Sequence, residues 1–94
     1  MAHGFLAHHA QDDVGVATRD LHAGEVVEGV YMDTEQVISL TLATDVPLGH
    51  KVALKDLPAN SECREYNEII GRITADIAKG ELVHVHNIKS IRWA

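Results

Sequence analysis

Apolar residues recur at every second position in short stretches of this chain, and each stretch is cut off by a polar or glycine-containing segment. In QVISLTLA (36–43), Ile38, Leu40 and Leu42 fall on one side of an extended backbone and Val37, Ser39 and Thr41 on the other. That two-residue period is the mark of a strand with one buried face. FLAHHA, VGVAT, VVEGVYM, KVALK, IIGRIT and LVHVH read the same way, rich in β-branched residues and too short for ordinary helices. ECREYNEIIGRI (62–73) has a composition that also suits a helix, but Asn67 and Gly71 favour a turn, so strand, turn, strand is expected there. Short strands at such close intervals predict an all-β, barrel-like fold.

The breaks between strands repeat a pattern. DLHAG (20–24), DVPLG (45–49), DLPAN (56–60) and DIAKG (76–80) each run Asp, branched apolar, two variable residues, then Gly or Asn. Aspartate can bond its own downstream backbone to open a turn, and Gly or Asn tolerates the positive φ that closes one. The second residue, Leu21, Val46, Leu57 or Ile77, is expected to tuck beneath its turn. The Asp residues stand 25, 11 and 20 apart, so the copies are equivalent corners of a compact fold and not units of a solenoid.

Composition narrows the functional classes. Ninety-four residues make one domain, 1–94, with a small core. The single cysteine, Cys63, rules out an internal disulfide and points to a reducing, cytoplasmic setting. The first ten residues have neither the basic start nor the apolar centre of an export signal, and no run approaches the roughly 18 apolar residues of a membrane span. No membrane association is expected. A net charge of −6, with eight scattered Lys and Arg, argues against nucleic acid as a partner, and four aromatic residues offer little for bases to stack on.

Seven histidines are the unusual feature. On a strand, His84 and His86 would point to one side with β-carbons about 7 Å apart, close enough for two imidazoles to share a divalent ion. Two ligands are too few for a metal centre, so His50, directly after DVPLG, and His9 are the candidates to join them. The alternative is a solvent-facing strand that binds nothing. His50 and Lys51 start a strand beside a corner, where an imidazole suits acid–base work and an ammonium suits an anion, although adjacent strand residues face opposite ways. Asp12 and Asp13 either reach a metal or simply form a turn before the strand that follows. Cys63 has no histidine beside it and reads as an inert thiol. There is no Gly-rich phosphate loop, Cys-x-x-Cys pair or nucleophile elbow.

Taken in order, DDVGVATRDLHAGE, DVPLGHKVALKDLPAN and IIGRITADIAKGELVHVHNI resemble the small SAF-type, β-clip domain of the altronate and galactarate dehydratase family, over about Ala7 to Ile88. GHKVALKDL is the most specific part. The resemblance implies a β-clip fold and a role in β-elimination from a small hydroxy acid. Dehydratase members expel water from a sugar acid to leave a 2-keto-3-deoxy acid. Sulfo-lyase members expel sulfite from sulfolactate to leave pyruvate. It also implies ferrous iron as cofactor, held mainly by a large catalytic lyase subunit, and the short chain is most similar to the small subunit of the two-subunit members, expected to be inactive alone. His9, His50 and Lys51 match positions shared across the family, with His50 and Lys51 as the catalytic candidates and His9, His50, His84 and His86 as the metal candidates. Asn87 and Asp13 are the candidates to face substrate or partner. His84, His86 and Asn87 match the altronate-type members alone. Asn67 and Asn60 stand where the family has Gly, and both tolerate positive φ. SAF-type domains also serve as non-catalytic binding or assembly modules, which is the alternative role.

Overall fold

A computed structural model describes residues 3–65, 68–84 and 87–90. Among these, every regular element is a strand: β1 (Phe5–Ala7), β2 (Val14–Ala17), β3 (Val26–Tyr31), β4 (Val37–Thr41), β5 (Lys51–Ala53), β6 (Glu62–Glu65), β7 (Glu68–Ile73), β8 (Leu82–Val83) and β9 (Ile88–Ser90). The all-β reading holds, but the strands do not close into a barrel. They form a six-stranded sheet, β4-β3-β1-β2-β5-β8, and a three-stranded sheet, β6-β7-β9. ECREYNEIIGRI is indeed a strand pair, with Glu62 opposite Arg72 and Glu65 opposite Glu68. The turn expected at Asn67 lies outside the described residues, and Gly71, expected to favour it, instead sits within β7 opposite Cys63 and Ser90.

Alternation along β5 explains how two sheets share a small interior. Val52 belongs to one apolar cluster, with Phe5, Ala7, Ala17, Leu21, Val27, Leu40, Leu42, Val46 and Leu54. Its neighbour Ala53 belongs to the second, with Val14, Leu57, Cys63, Ile73, Ile77 and Val83. Successive side chains of a strand leave opposite faces, so the β2-β5-β8 part of the large sheet is apolar on both. Phe5, fully buried, lays its ring directly on Gly29 of β3, where any side chain would collide with it.

The four corners interlock in pairs, and here the aspartates do something the local pattern did not suggest. Asp20 Oδ1 accepts the N–H of Leu48 (2.9 Å), while Asp45 Oδ1 accepts that of Ala23 (2.9 Å). Asp56 Oδ1 accepts the N–H of Lys79 (2.9 Å), and Asp76 Oδ1 that of Ala59 (2.8 Å). Each carboxylate therefore caps the opposite corner and not its own. Leu21 and Val46 form an antiparallel bridge, as do Leu57 and Ile77, and all four side chains are buried. The last residue of each corner crosses over as well. Gly24 N–H donates to Leu42 O, Gly49 to Ala17 O, Asn60 to Ile73 O and Gly80 to Ala53 O, at 2.7–2.9 Å. Their φ angles, +89°, +83°, +71° and +89°, are the left-handed values that the Gly or Asn at this position permits.

Candidate functional site

The register of β5 and β8 decides which histidines meet. Lys51 pairs with Val83 and Val52 with Leu82, so continuing the ladder by one residue sets His50 opposite His84. Their rings stack with centroids 6.1 Å apart and planes within 17° of parallel, and both side chains are exposed. Both backbones are held firmly. His50 N–H donates to Pro47 O (3.0 Å), and His50 O accepts from Ala17 N–H (2.9 Å). His84 N–H donates to Asn87 Oδ1 (2.8 Å), and its carbonyl accepts from the N–H groups of Asn87 (2.9 Å) and Ile88 (3.1 Å).

These bonds correct one expectation: the strand stops at Val83, and His84 begins a turn closed by Asn87. An Asn side chain offers the backbone an alternative to the ladder. Asn87 takes that option fully, donating from Nδ2 to Leu82 O (2.9 Å) while buried to 5% exposure. It thus faces inward and fixes the backbone of His84. The spacing His-x-x-Asn is the signal that would have suggested this. His86 lies outside the described residues.

The remaining candidates stand apart from this pair. Lys51 leaves the other face of β5 and sits 3.7 Å from Oε1 of the buried Glu65. Asp13 accepts the N–H of Arg64 at Oδ2 (2.9 Å) and pairs through Oδ1 with Lys55 Nζ (3.1 Å), tying β2 to β6. Asp12, fully buried, accepts the N–H of His9 (3.2 Å) and returns its own N–H to His9 O (2.9 Å), the geometry of a turn. His9 follows β1 and lies 3.6 Å from Asp33. Since Phe5 pairs with Ala17 and Val16 with Lys51, His50 sits at the Phe5 end of the sheet and His9 beyond the other. The whole of β1 and the bend after it separate their levels.

Among the described residues, no three His, Cys, Asp or Glu are grouped to hold a metal ion. His50 and His84 supply two nitrogen donors, short of the three protein ligands a catalytic centre typically uses, so these residues alone do not fit a ferrous site. Cys63 is buried, and that burial, reinforced by the nearby Asp13 and Glu65 carboxylates, pushes its thiol up to about 12. It is neither a nucleophile nor a ligand near neutral pH. An open concavity of about 480 Å³ lies between the third and fourth corners, lined by Asp56, Leu57, Pro58, Asp76, Ile77, Ala78 and Glu81. None of the described histidines lines it, and its three carboxylates already accept backbone N–H groups. No helix among the described residues is long and apolar enough to cross a membrane.

The chemistry on display is therefore a pair of exposed, well-anchored imidazoles at the edge of an interlocked β domain. The chain belongs to the altronate/galactarate dehydratase SAF domain family, which it matches over residues 3–91. Within that class it is similar along its whole length to the (2R)-sulfolactate sulfo-lyase subunit alpha of Chromohalobacter salexigens, with 37% identity over 94 residues that cover 99% of this chain and 100% of that one. The subunit alpha of the same name from Paracoccus pantotrophus is 48% identical over 54 residues, 57% of this chain and 81% of that one. The altronate dehydratase of Bacillus subtilis is 35% identical over 86 residues, 92% of this chain but only 16% of the dehydratase.

Proposed function

We propose that this chain is the small subunit of a two-subunit hydroxy-acid lyase of the (2R)-sulfolactate sulfo-lyase type, catalysing β-elimination together with a large catalytic subunit. The observation that carries this is the coextensive match: both chains align end to end with a protein named a subunit, whereas in the altronate dehydratase the same region is a small part of one long chain. A pair of imidazoles exposed at the edge of the sheet also suits a site completed by a partner, since a substrate pocket must bury most of its ligand. A cytoplasmic setting agrees with the single buried, reduced cysteine.

In a β-elimination a base removes the proton next to the carboxylate and an acid assists departure of the leaving group. Imidazole serves either role near neutral pH. We assign proton transfer to His50, with His84 stacked against it as its neighbour in the site. Lys51 is turned to Glu65 and takes no part. We place ferrous iron, which as a Lewis acid would polarise the substrate, on the large subunit, since among the described residues only two imidazoles meet here. The substrate is a small hydroxy acid, sulfolactate in preference to altronate or galactarate.

The test is to copurify the chain with its large subunit, supply Fe²⁺ anaerobically, and follow sulfite release from sulfolactate against dehydration of altronate and galactarate. Activity is expected from the complex and not from either subunit alone. His50→Ala should lower kcat by about 10²-fold or more while the complex still assembles. An active small subunit by itself, or full activity in His50→Ala, would sink the proposal.

A further inference from the structure

The four corners share one backbone. In each, the residue after the Gly or Asn donates its N–H to the carbonyl of the corner's third residue: Glu25 to His22, His50 to Pro47, Ser61 to Pro58 and Glu81 to Ala78, at 3.0–3.1 Å. The carbonyls of the same four residues accept an N–H from the strand opposite, that of Leu42, Ala17, Ile73 and Ala53 in turn (2.8–2.9 Å). Two corner residues thus face one strand residue each time, a bulge whose first member has positive φ. Bulges of this kind re-aim side chains.

Three of the four residues that follow a corner spend their side chains on it. Glu25 Oε1 accepts the N–H of His22 (3.2 Å), Glu81 Oε1 accepts that of Ala78 (2.5 Å), and the Ser61 hydroxyl donates to Pro58 O (2.6 Å). His50 is the exception. Pro47, the third residue of its corner, has no N–H to be capped, and the imidazole stacks on His84 instead. The same corner also departs from the others at its fourth place. Ala23, Ala59 and Lys79 stand there in the first, third and fourth corners, whereas the second has Leu48, 61% exposed. Its backbone is fixed all the same: Leu48 N–H donates to Asp20 Oδ1 (2.9 Å), and the Thr44 hydroxyl, just before the corner, accepts the N–H of Leu82 on β8 (2.9 Å). The second corner therefore holds out a leucine on a rigid tip, two residues from the imidazole assigned to proton transfer.

We infer that Leu48 is the anchor by which the large subunit seats on this edge, its side chain entering an apolar recess beside the substrate pocket. This rests on the lyase reading, which requires a partner to close over His50 and His84. Taking a leucine side chain out of water strengthens association by about tenfold to a hundredfold. Because the tip is already held by hydrogen bonds, docking orders little backbone and most of that gain is kept. A second copy of this chain is not the occupant. Seated on Leu48, it would cover the imidazole pair that must reach the substrate.

The test uses the two subunits, purified separately. Association is followed by calorimetric titration, and sulfite release from sulfolactate is measured with Fe²⁺ supplied anaerobically at rising small-subunit concentration. Leu48→Ser removes the apolar group without adding charge, and should raise the Kd by about tenfold or more while kcat at saturation stays within about twofold. Its circular dichroism should be unchanged, since the side chain it loses is exposed. Leu48→Met should keep the wild-type affinity. His50→Ala should show the reverse of Leu48→Ser, a lost kcat with little change in Kd. Met32→Ser is the control: Met32 is 54% exposed and bonded to Ala7 O, at the far end of the sheet from His50, and this variant should bind as wild type. A wild-type Kd in Leu48→Ser overturns the inference and leaves the lyase reading standing, as does an equal loss of affinity in Met32→Ser. Wild-type subunits that form no complex overturn both.

Discussion

Gly24 and Gly80 occupy the same place in two corners and share φ = +89°, yet they should respond very differently to a side chain. A β-carbon at Gly24 meets nothing within 4 Å, so Gly24→Ala costs only the left-handed backbone strain, about 1–2 kcal/mol. At Gly80 the same carbon would collide with the Thr41 carbonyl oxygen and crowd Ala43 N at 3.1 Å. Relief requires the fourth corner to lift away from β4. That motion weakens the bonds from Ala43 N–H to Gly80 O and from Gly80 N–H to Ala53 O, both 2.9 Å and each worth about 1 kcal/mol. With strain and overpacking included, Gly80→Ala should cost about 4 kcal/mol. For a domain of this size that lowers Tm by about 20 °C, against about 10 °C or less for Gly24→Ala. Asparagine separates the two causes, because it tolerates positive φ, as Asn60 already does at +71°, but still carries a β-carbon. Thermal unfolding by far-UV circular dichroism should therefore find Gly24→Asn near wild type and Gly80→Asn strongly destabilised. Equal Tm values for the two Asn variants would refute the collision argument.

Two further outcomes follow from the corners and the buried thiol. Asp45→Ala removes the acceptor for Ala23 N–H across the interlock and should cost about 1 kcal/mol in urea unfolding, with Asp20→Ala similar; in the double variant the two losses should not add, since each loosens the same pair of corners. Native Cys63 should resist a thiol reagent at pH 8 and react fully once the protein is unfolded. Its thiol is raised from about 9 to about 12 by folding, so the folded state binds the extra proton in that window and stability should fall as pH rises through it, by at most about 1.4 kcal/mol per pH unit. Cys63→Ala should flatten that decline.

Much of the local structure was legible in the sequence because it depends on neighbours. The positive φ at Gly24, Gly49, Asn60 and Gly80, the burial of Leu21, Val46, Leu57 and Ile77, and the strand pair in 62–73 all follow from residue type and period. Which backbone groups the aspartates cap was not legible, since Asp20 reaches Leu48, and a bond spanning 28 positions leaves no trace in a five-residue pattern. Strand order was hidden for the same reason. It decides that His50 meets His84 while His9 is carried to the far end of the sheet, a separation that register alone sets. The HxH alternation predicted a continuous strand, but the buried carboxamide of Asn87 bends the chain after Val83.

The interlocked corners also bear on how the chain finds its fold. The first pair closes between Ala17 and Gly49 and the second between Ala53 and Gly80, so the two closures are consecutive along the chain and neither encloses the other. Each requires a loop of about 30 residues, and closure entropy grows only slowly with length, so the two searches are similar in difficulty and can proceed independently. Neither corner of a pair has its aspartate cap until the other arrives, which makes each closure all-or-none. What remains is to dock the halves on each other, through Asp13 to Arg64 and Ala43 to Gly80, and that late step is where the slowest phase of refolding should lie.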